Sequence, residues 1–399
     1  MRYINLLFLF PFVSLGLLNL DLQPYCFIAA LIYFLKYSRV VGYFKYFLLP
    51  IVGLWLTIAI TEVNDVSLIF RATIFYCTPL VVSHAVFFSL KYGAVGGKGI
   101  SQSPFDVHRQ FVRIVFLAIW INFIVAVAQM ISSRDLFELL VSVRTSPERG
   151  VTGLTPEPSM YGLNLLALGV LVFCLNIEAK VKKRYLLLLI FQLLFFSQST
   201  LAIVSFFAML LVYYLQNRVM LLVSVISVLT LLGYSLGNSD LLLGSNIRIF
   251  DVLNQFFQDP SNILYVDGSI SERFYHLVLP LYGYGLPQGL SSFSKMIVQA
   301  QAMFPSYWWG DPTDKIMSGV GGAFWELGFF ALPLFLLPFH LAIDALGRAR
   351  GFFVGIALML VFIHSVTYGL PLYAMVCGYL AYLIDVRKCN NYGTSMELI

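Results

Sequence analysis

The organisation of this chain is set by the connector Arg149–Ser159 (RGVTGLTPEPS), which joins one long apolar segment to the next. It holds an arginine, two glycines, a carboxylate between two prolines and a serine, a composition unsuited to the interior of a lipid bilayer. We therefore place this connector at a membrane face. An arginine and a carboxylate fixed at the mouth of a helix bundle are the groups that chemistry on an anionic lipid requires.

Composition places the rest of the chain in a membrane. The 399 residues are 59% hydrophobic and 11% charged, whereas soluble domains carry roughly 25% charged residues. The net charge of +5 comes from cations between apolar runs, so it does not indicate nucleic-acid binding. The apolar start up to Leu20 lacks a small-x-small cleavage site, and we interpret it as the first helix. The five cysteines show neither a disulfide framework nor metal-ligand spacing.

A transmembrane helix needs about 20 mostly apolar residues. Residues 1–399 therefore predict one polytopic, all-α integral membrane domain with about twelve transmembrane helices. These helices are predicted near residues 4–20, 24–36, 44–60, 66–90, 110–131, 159–178, 185–198, 200–216, 219–236, 319–343, 352–369 and 371–385. Ser197–Thr200 is a polar break between two of them, and irregular backbone at that depth must be buried in protein or line a cavity.

Lysine and arginine predict the orientation of the chain. One set of connectors is short and much richer in these residues, so by the positive-inside rule it is cytoplasmic, as are both termini. Its cations are Arg2, Lys36, Arg39, Lys45, Lys91, Lys98, Arg109, Arg113, Lys180, Lys182, Lys183, Arg184, Arg218, Arg348, Arg350, Arg387 and Lys388. The alternating connectors carry most of the acidic residues and are predicted to lie outside.

Two outer connectors are long, residues 132–158 and residues 237–318. Within the second, residues 246–258 and 271–281 show helical apolar spacing and predict amphipathic helices along the outer membrane surface. Residues 283–289 contain three glycines and a proline and predict a turn. No cytoplasmic connector is large enough for a nucleotide-binding domain, so any donor substrate must arrive already activated.

Glu157 and Arg149 are the first candidates for chemistry. The flanking prolines fix the Glu157 carboxylate, although an acid at a helix start also complements the helix dipole. Ser159 is a good N-cap for the same helix. Arg149 binds either a substrate or the phosphates of lipid headgroups.

Three further candidates lie elsewhere in the chain. Arg273 precedes the glycine turn, and its alternative is a surface pair with Glu272. His276 is the only histidine on the outer side, and its alternative is an interfacial residue. Arg71 lies about one turn inside the fourth helix, where a charge indicates function, unless it snorkels to the interface or pairs with Glu326.

Other polar residues of the apolar segments favour structural roles. His84 and His364 are interpreted as hydrogen-bonded core residues. Asp311 and Asp314 are spaced i, i+3 without a histidine companion, and we find no convincing metal site.

Several of these motifs together resemble a family. Arg149-Gly150 followed by Glu157–Ser159 at the head of a helix resembles the bacterial O-antigen polymerases, the Wzy-type proteins, and their relatives the O-antigen ligases. The later pattern agrees, with Arg273 opening a helix, the turn Gly283–Gly285, and Glu326–Gly328 entering the next span. The resemblance covers nearly the whole chain in topology, and these short motifs in residues.

The resemblance implies a GT-C-like fold and a metal-independent, inverting glycosyl transfer at the periplasmic face of the bacterial inner membrane, without a cofactor. The donor is a growing glycan on undecaprenyl pyrophosphate, and the acceptor is one repeat unit on the same carrier. Glu157 is then the candidate base, with His276 as its substitute. Arg149, Arg273 and Arg71 bind the pyrophosphate. A chain-length regulator in the same membrane is a further implied partner.

Two other functions stay open from the sequence. An O-antigen ligase performs the same reaction with lipid A–core as the acceptor. A flippase or transporter of the lipid-linked unit belongs to another class. Transporters often show internal repeats with paired broken helices; we find no such repeat, and the long outer loop is hard to explain for a carrier.

Overall fold

The computed structural model describes residues 4–13, 24–37, 41–92, 104–145, 150–215, 268–305, 307, 309–364 and 368–391. The structure is 77% helical, and no strand occurs in these ranges. The prediction of an all-α protein is therefore confirmed.

Fourteen α-helices lie within the described ranges, and we number them in chain order. They are α1 (Ile4–Phe8), α2 (Tyr25–Lys36), α3 (Leu48–Thr61), α4 (Val66–Tyr92), α5 (Pro104–Ile131), α6 (Pro158–Cys174), α7 (Ala179–Phe191), α8 (Thr200–Leu215), α9 (Gly268–Val278), α10 (Phe293–Met303), α11 (Gly319–Leu327), α12 (Leu332–Leu346), α13 (Arg348–Phe362) and α14 (Pro371–Asn391). Short 3₁₀ segments cover Gly42–Phe47, Leu279–Gly283 and Gly328–Ala331, and a π-helical turn covers Gln192–Ser197.

Four helical segments are long and apolar enough to cross a membrane. They are Gly42–Thr61, Val66–Tyr92, Asp106–Ile131 and Gly319–Leu346, while α2, α8 and α6 are apolar but shorter. Large apolar side chains on these spans, such as Ile60, Phe70, Ile124 and Leu336, are exposed at the protein surface, where lipid tails would cover them. The protein is therefore embedded in a membrane. The larger count of about twelve spans and the GT-C-like arrangement stay predictions.

Two predicted helices are interrupted in the structure. Helix α1 ends at Phe8, because Pro11 lacks a backbone N–H and disfavours helical geometry in the preceding residue; residues 14–20 of the predicted helix 4–20 lie outside the described residues. The predicted continuous helix 319–343 is divided at Gly328, whose φ of +57° ends α11 before α12 begins. The predicted helices over 219–236 and 246–258 lie outside the described residues.

Contacts between helix termini define two ends of the bundle. At one end, Lys91 pairs with Asp385 at 2.9 Å, and the Tyr379 hydroxyl accepts a hydrogen bond from the Asn176 N–H. Lys182 donates to the Phe173 carbonyl at the same end, which we call the basic end. The opposite end contains the start of α6, the ends of α5 and α7, and the starts of α4, α8 and α11; we call it the site end.

Candidate functional site

The connector predicted to lie at a membrane face is buried against the helix bundle. Residues 150–156 are all buried. The Gly153 N–H donates to Gln129 Oε1 on α5 at 2.8 Å, and Gln129 Nε2 donates back to the Gly153 carbonyl at 3.2 Å. The Val151 N–H donates to the Phe196 carbonyl at 2.8 Å. The connector is therefore a fixed platform at the site end.

Both glycines of the connector are required by close contacts. A Cβ on Gly150 would lie 2.1 Å from the Ser197 carbonyl oxygen. Gly153 has a φ of +58°, and a Cβ there would lie 2.7 Å from the ring of Tyr161. The polar break at 197–200 was expected to be buried or to line a cavity, and Ser197 and Ser199 are indeed buried.

Glu157 lies at the start of α6, where its carboxylate makes two polar contacts. Arg144 Nε lies 3.4 Å from Glu157 Oε1, and the Ser159 hydroxyl donates to Oε2 at 3.2 Å. The side chain does not cap its own helix, so helix capping does not explain the carboxylate. Its side chain is 32% exposed and can meet a ligand.

Arg144 is a functional candidate that sequence reasoning missed. It lies in the same connector as Glu157, and its backbone N–H donates to the Pro156 carbonyl at 2.7 Å. The sequence contained a signal for Arg144, because this cation lies in the long connector 132–158 next to the Arg149–Ser159 motif. The predicted partner Arg149 lies outside the described residues, and its assignment stays a prediction.

The predicted amphipathic helix over 271–281 is confirmed as α9, followed by a 3₁₀ segment. It is docked on α11: a Cβ on Gly321 would lie only 2.2 Å from the His276 carbonyl oxygen. A small hydrophobic core between α9, α10 and α11 contains Tyr275, Leu279, Phe293, Ile297, Ala300 and Trp325. This part of the long connector 237–318 is therefore folded onto the bundle. The predicted turn at 283–289 is also confirmed, with positive φ at Tyr284, Gly285 and Gly289.

The imidazole of His276 is completely buried and has a defined tautomer. The Met317 N–H donates to Nδ1 at 2.6 Å, so the proton of the neutral ring lies on Nε2. Burial lowers the pKa of His276 to about 4, which keeps the ring neutral at physiological pH. Nε2 has no hydrogen-bond partner among the described residues. Neutral His276 therefore offers a donor, and its role as a substitute base stays a prediction.

Arg273, three residues before His276 on the same helix, is half-buried beside two titratable groups. Burial raises the pKa of Glu272, and the positive charges of Arg273 and Lys315 partly offset that rise. The guanidinium of Arg273 also interacts electrostatically with His364, the second residue after α13. His364 Nε2 lies 2.8 Å from the Ser205 hydroxyl of α8. Ser205 of α8 therefore contacts His364, and the charge of Arg273 on α9 acts on the same ring.

Arg71 and Glu326 lie on α4 and α11 at the site end. The Tyr76 hydroxyl donates to Glu326 Oε2 at 2.6 Å, and the Thr57 hydroxyl donates to the Glu326 carbonyl at 2.8 Å. Arg71 is exposed, and its Cζ lies 5.5 Å from the ring centroid of Phe75. Its positive charge interacts electrostatically with Glu326. The tyrosine is therefore the direct partner of Glu326, and the arginine a nearby charge.

The structure thus distributes the candidate residues over three positions at one end of the bundle. Glu157 lies with Arg144, Arg273 and His276 lie near His364, and Arg71 lies near Glu326. Helix α11 connects the last two positions, because the Gly319 N–H donates to the His364 carbonyl at 2.9 Å. Glu326 lies about 10 Å further along that helix at 1.5 Å per residue. Within the described ranges, no group of three or more His, Cys, Asp or Glu residues is placed to hold a metal ion.

The fold and these positions define an all-helical membrane protein with polar groups gathered at one end of its bundle. No family model matches the chain, and no curated protein sequence matches it. The resemblance to O-antigen polymerases therefore remains a prediction from the short motifs and the topology.

Proposed function

We propose that this protein polymerises undecaprenyl-pyrophosphate-linked oligosaccharide repeat units into O-antigen or a related polysaccharide, at the periplasmic face of the bacterial inner membrane. The observation that carries the proposal is the Arg144–Glu157 pair, which lies on a buried connector at the same end of the bundle as Arg273. A fixed carboxylate and several arginines at one membrane face suit a reaction that removes a proton and releases a pyrophosphate.

The proposed reaction is a direct displacement. The hydroxyl oxygen of the acceptor sugar attacks the anomeric carbon of the donor glycan and forms the new glycosidic bond. The bond from that carbon to the pyrophosphate oxygen breaks, and its electron pair leaves with undecaprenyl pyrophosphate. Glu157 takes the proton of the hydroxyl, and Arg144 orients the carboxylate.

Arginines stabilise the leaving group in this proposal. A guanidinium presents two parallel N–H donors to phosphate oxygens and keeps its charge at any physiological pH. Arg273, Arg71 and Arg149 are the proposed pyrophosphate ligands. Arg71 is exposed at the site end and Arg273 is half-buried there, which are the accessibilities that a bound lipid pyrophosphate requires. A chain-length regulator in the same membrane is a proposed partner.

The experiment combines purified protein in proteoliposomes with lipid-linked repeat units and no nucleotide. We expect a ladder of products, each longer than the last by one repeat. Unchanged substrate would contradict the proposal, and movement of intact substrate across the bilayer would favour a flippase. Cells that lack the protein separate the ligase alternative: loss of a polymerase leaves single repeats attached to lipid A–core, whereas loss of a ligase leaves none.

The proposed orientation predicts a labelling pattern for two thiols. Cys389 is exposed in the last turn of α14, at the basic end. Lys295 is exposed on α10 in the outer connector. In spheroplasts, a membrane-impermeant maleimide is expected to label the Lys295→Cys variant at position 295, and to label Cys389 only after lysis. A Cys389→Ser variant provides the background, and labelling of Cys389 in intact spheroplasts would reverse the orientation.

A further inference from the structure

The turn between α9 and α10 exposes four large apolar side chains at the protein surface. They are Leu281, Tyr282, Tyr284 and Leu286, and each is more than half exposed. The backbone between them is packed inward, since Gly283 and Gly285 are buried. We call residues 281–286 the apolar turn. Large apolar side chains that are exposed together mark a surface that interacts with a partner.

Tyr284 has a backbone conformation that favours glycine. Its φ is +51°, in the left-handed region, where the side chain of an L residue is crowded against the backbone and glycine is not. The Tyr284 side chain is 82% exposed, so its ring contributes little to packing within the turn. The turn therefore presents a large aromatic side chain outward at a position where glycine would fold more easily.

The apolar turn is fixed against two of the four segments that are long enough to cross a membrane. The Phe329 N–H donates to the Gly285 carbonyl at 2.8 Å, and a Cβ on Gly285 would lie 2.3 Å from the Phe329 ring. Phe329 belongs to one of these segments, and Thr61 is the last residue of another. A Cβ on Gly289, just after the turn, would lie 3.1 Å from Cγ2 of Thr61. The turn therefore lies beside the end of a membrane-crossing segment.

The surface next to the apolar turn changes from apolar to polar at Thr61. Ile60 and Phe329, on the two segments that the turn contacts, are both exposed. Directly after Thr61, the exposed residues are polar and include Glu62 and Asp65. This change marks the boundary between the bilayer and water, the level at which tyrosine is enriched in membrane proteins. The apolar turn therefore continues the lipid-facing surface at the height of that boundary.

We propose that the apolar turn inserts into the lipid leaflet at the site end of the bundle, with its leucines among the acyl chains and its tyrosines at the headgroups. The partner is bilayer lipid, because the turn extends the lipid-facing surface of the two segments that it contacts. The turn begins with the 3₁₀ segment that directly follows α9, so lipid contact sets the depth of α9 and Arg273 in the membrane. This inference requires a membrane-embedded protein but not the proposed polymerisation.

Nitroxide spin labels test the proposal at exposed positions, where a label leaves the packed backbone undisturbed. Tyr284→Cys and Leu286→Cys are made in the Cys389→Ser background, and the background protein itself gives the residual signal of the other cysteines. Each labelled protein is reconstituted in vesicles of phosphatidylethanolamine and phosphatidylglycerol. Electron paramagnetic resonance then measures the collision rates of the label with oxygen, which concentrates in lipid, and with a water-soluble nickel chelate. Ile60→Cys is the matched lipid control, and Lys295→Cys is the matched water control.

The ratio of oxygen to nickel collisions at positions 284 and 286 is expected to equal that at position 60 and to exceed that at position 295 severalfold. The labelled proteins should keep the unfolding midpoint of the background protein. A ratio at positions 284 and 286 equal to that at position 295 would place the turn in water and overturn the proposal. Spin–spin broadening that disappears on dilution with unlabelled protein would show that a second copy covers the turn, which would also overturn it.

Discussion

Glu157→Gln and Arg273→Ala are each expected to reduce chain extension by the reconstituted protein on the order of 100-fold or more, since general bases and charge-stabilising groups each contribute about that factor. The glutamine keeps the size of Glu157 and can still accept from the Ser159 hydroxyl. It loses the negative charge that pairs with Arg144 and that would take the proton. The measurement is the initial rate of ladder formation at saturating lipid-linked substrate.

Matched controls come from the same two long connectors, residues 132–158 and 237–318. Glu138 and Lys295 are exposed and lie outside the three candidate positions, so Glu138→Gln and Lys295→Ala are expected to stay within twofold of the wild type. If Glu157→Gln and Arg273→Ala each retained full chain extension, the site assignment would be wrong, even with a polymerising wild-type protein.

The second large effect is expected from the docking of α9 on the bundle. Substitutions at two neighbouring glycines of α11 should differ in stability and activity. A Cβ at position 321 would lie 2.2 Å from the His276 carbonyl oxygen, whereas one at position 322 would lie 3.7 Å from Ile316 Cβ. We expect Gly321→Ala to cost about 1–3 kcal/mol through overpacking and to abolish most of the activity by displacing Arg273 and His276. Gly322→Ala is expected to be neutral or slightly stabilising.

This comparison isolates the clash, because both substitutions give the same gain in helix propensity, about 0.5–1 kcal/mol. The measurements are the thermal unfolding midpoint in detergent and the rate of proteolytic cleavage in the connector 237–318. Equal midpoints and equal cleavage rates for the two variants would show that α9 does not pack against α11 in this way.

Apolar spacing and glycine positions were sufficient to predict the helices and turns that are formed by one continuous stretch of sequence. The apolar runs predicted an all-α membrane protein, and the spacing in 271–281 predicted the helix that carries Arg273. The glycines at 283–289 predicted a turn that has positive φ at Gly285 and Gly289. Helix α10 was not predicted, although Phe293, Ile297 and Ala300 follow the i, i+4, i+7 spacing of a buried helix face.

Contacts between segments far apart in the sequence could not be predicted from such local patterns. Tyr76 binds a carboxylate 250 positions away, and its partner cannot be inferred from the apolar residues around it. The polar composition of the connector 149–159 predicted a position at a membrane face, but it could not predict that Gln129 binds both backbone groups of Gly153 inside the bundle. His364 was interpreted as a core residue from its apolar neighbours, and only the packing of α9 brings it near Arg273.

The most direct test of the proposed polymerisation measures the amount of the leaving group, undecaprenyl pyrophosphate, that is released. Purified protein in proteoliposomes receives lipid-linked repeat units without nucleotide, and undecaprenyl pyrophosphate is quantified alongside the new glycosidic linkages. The proposed polymerisation predicts that one undecaprenyl pyrophosphate is released for each linkage formed, and that Glu157→Gln gives neither product above background. Linkages formed without release of the carrier, or a wild-type protein that forms none, would contradict it.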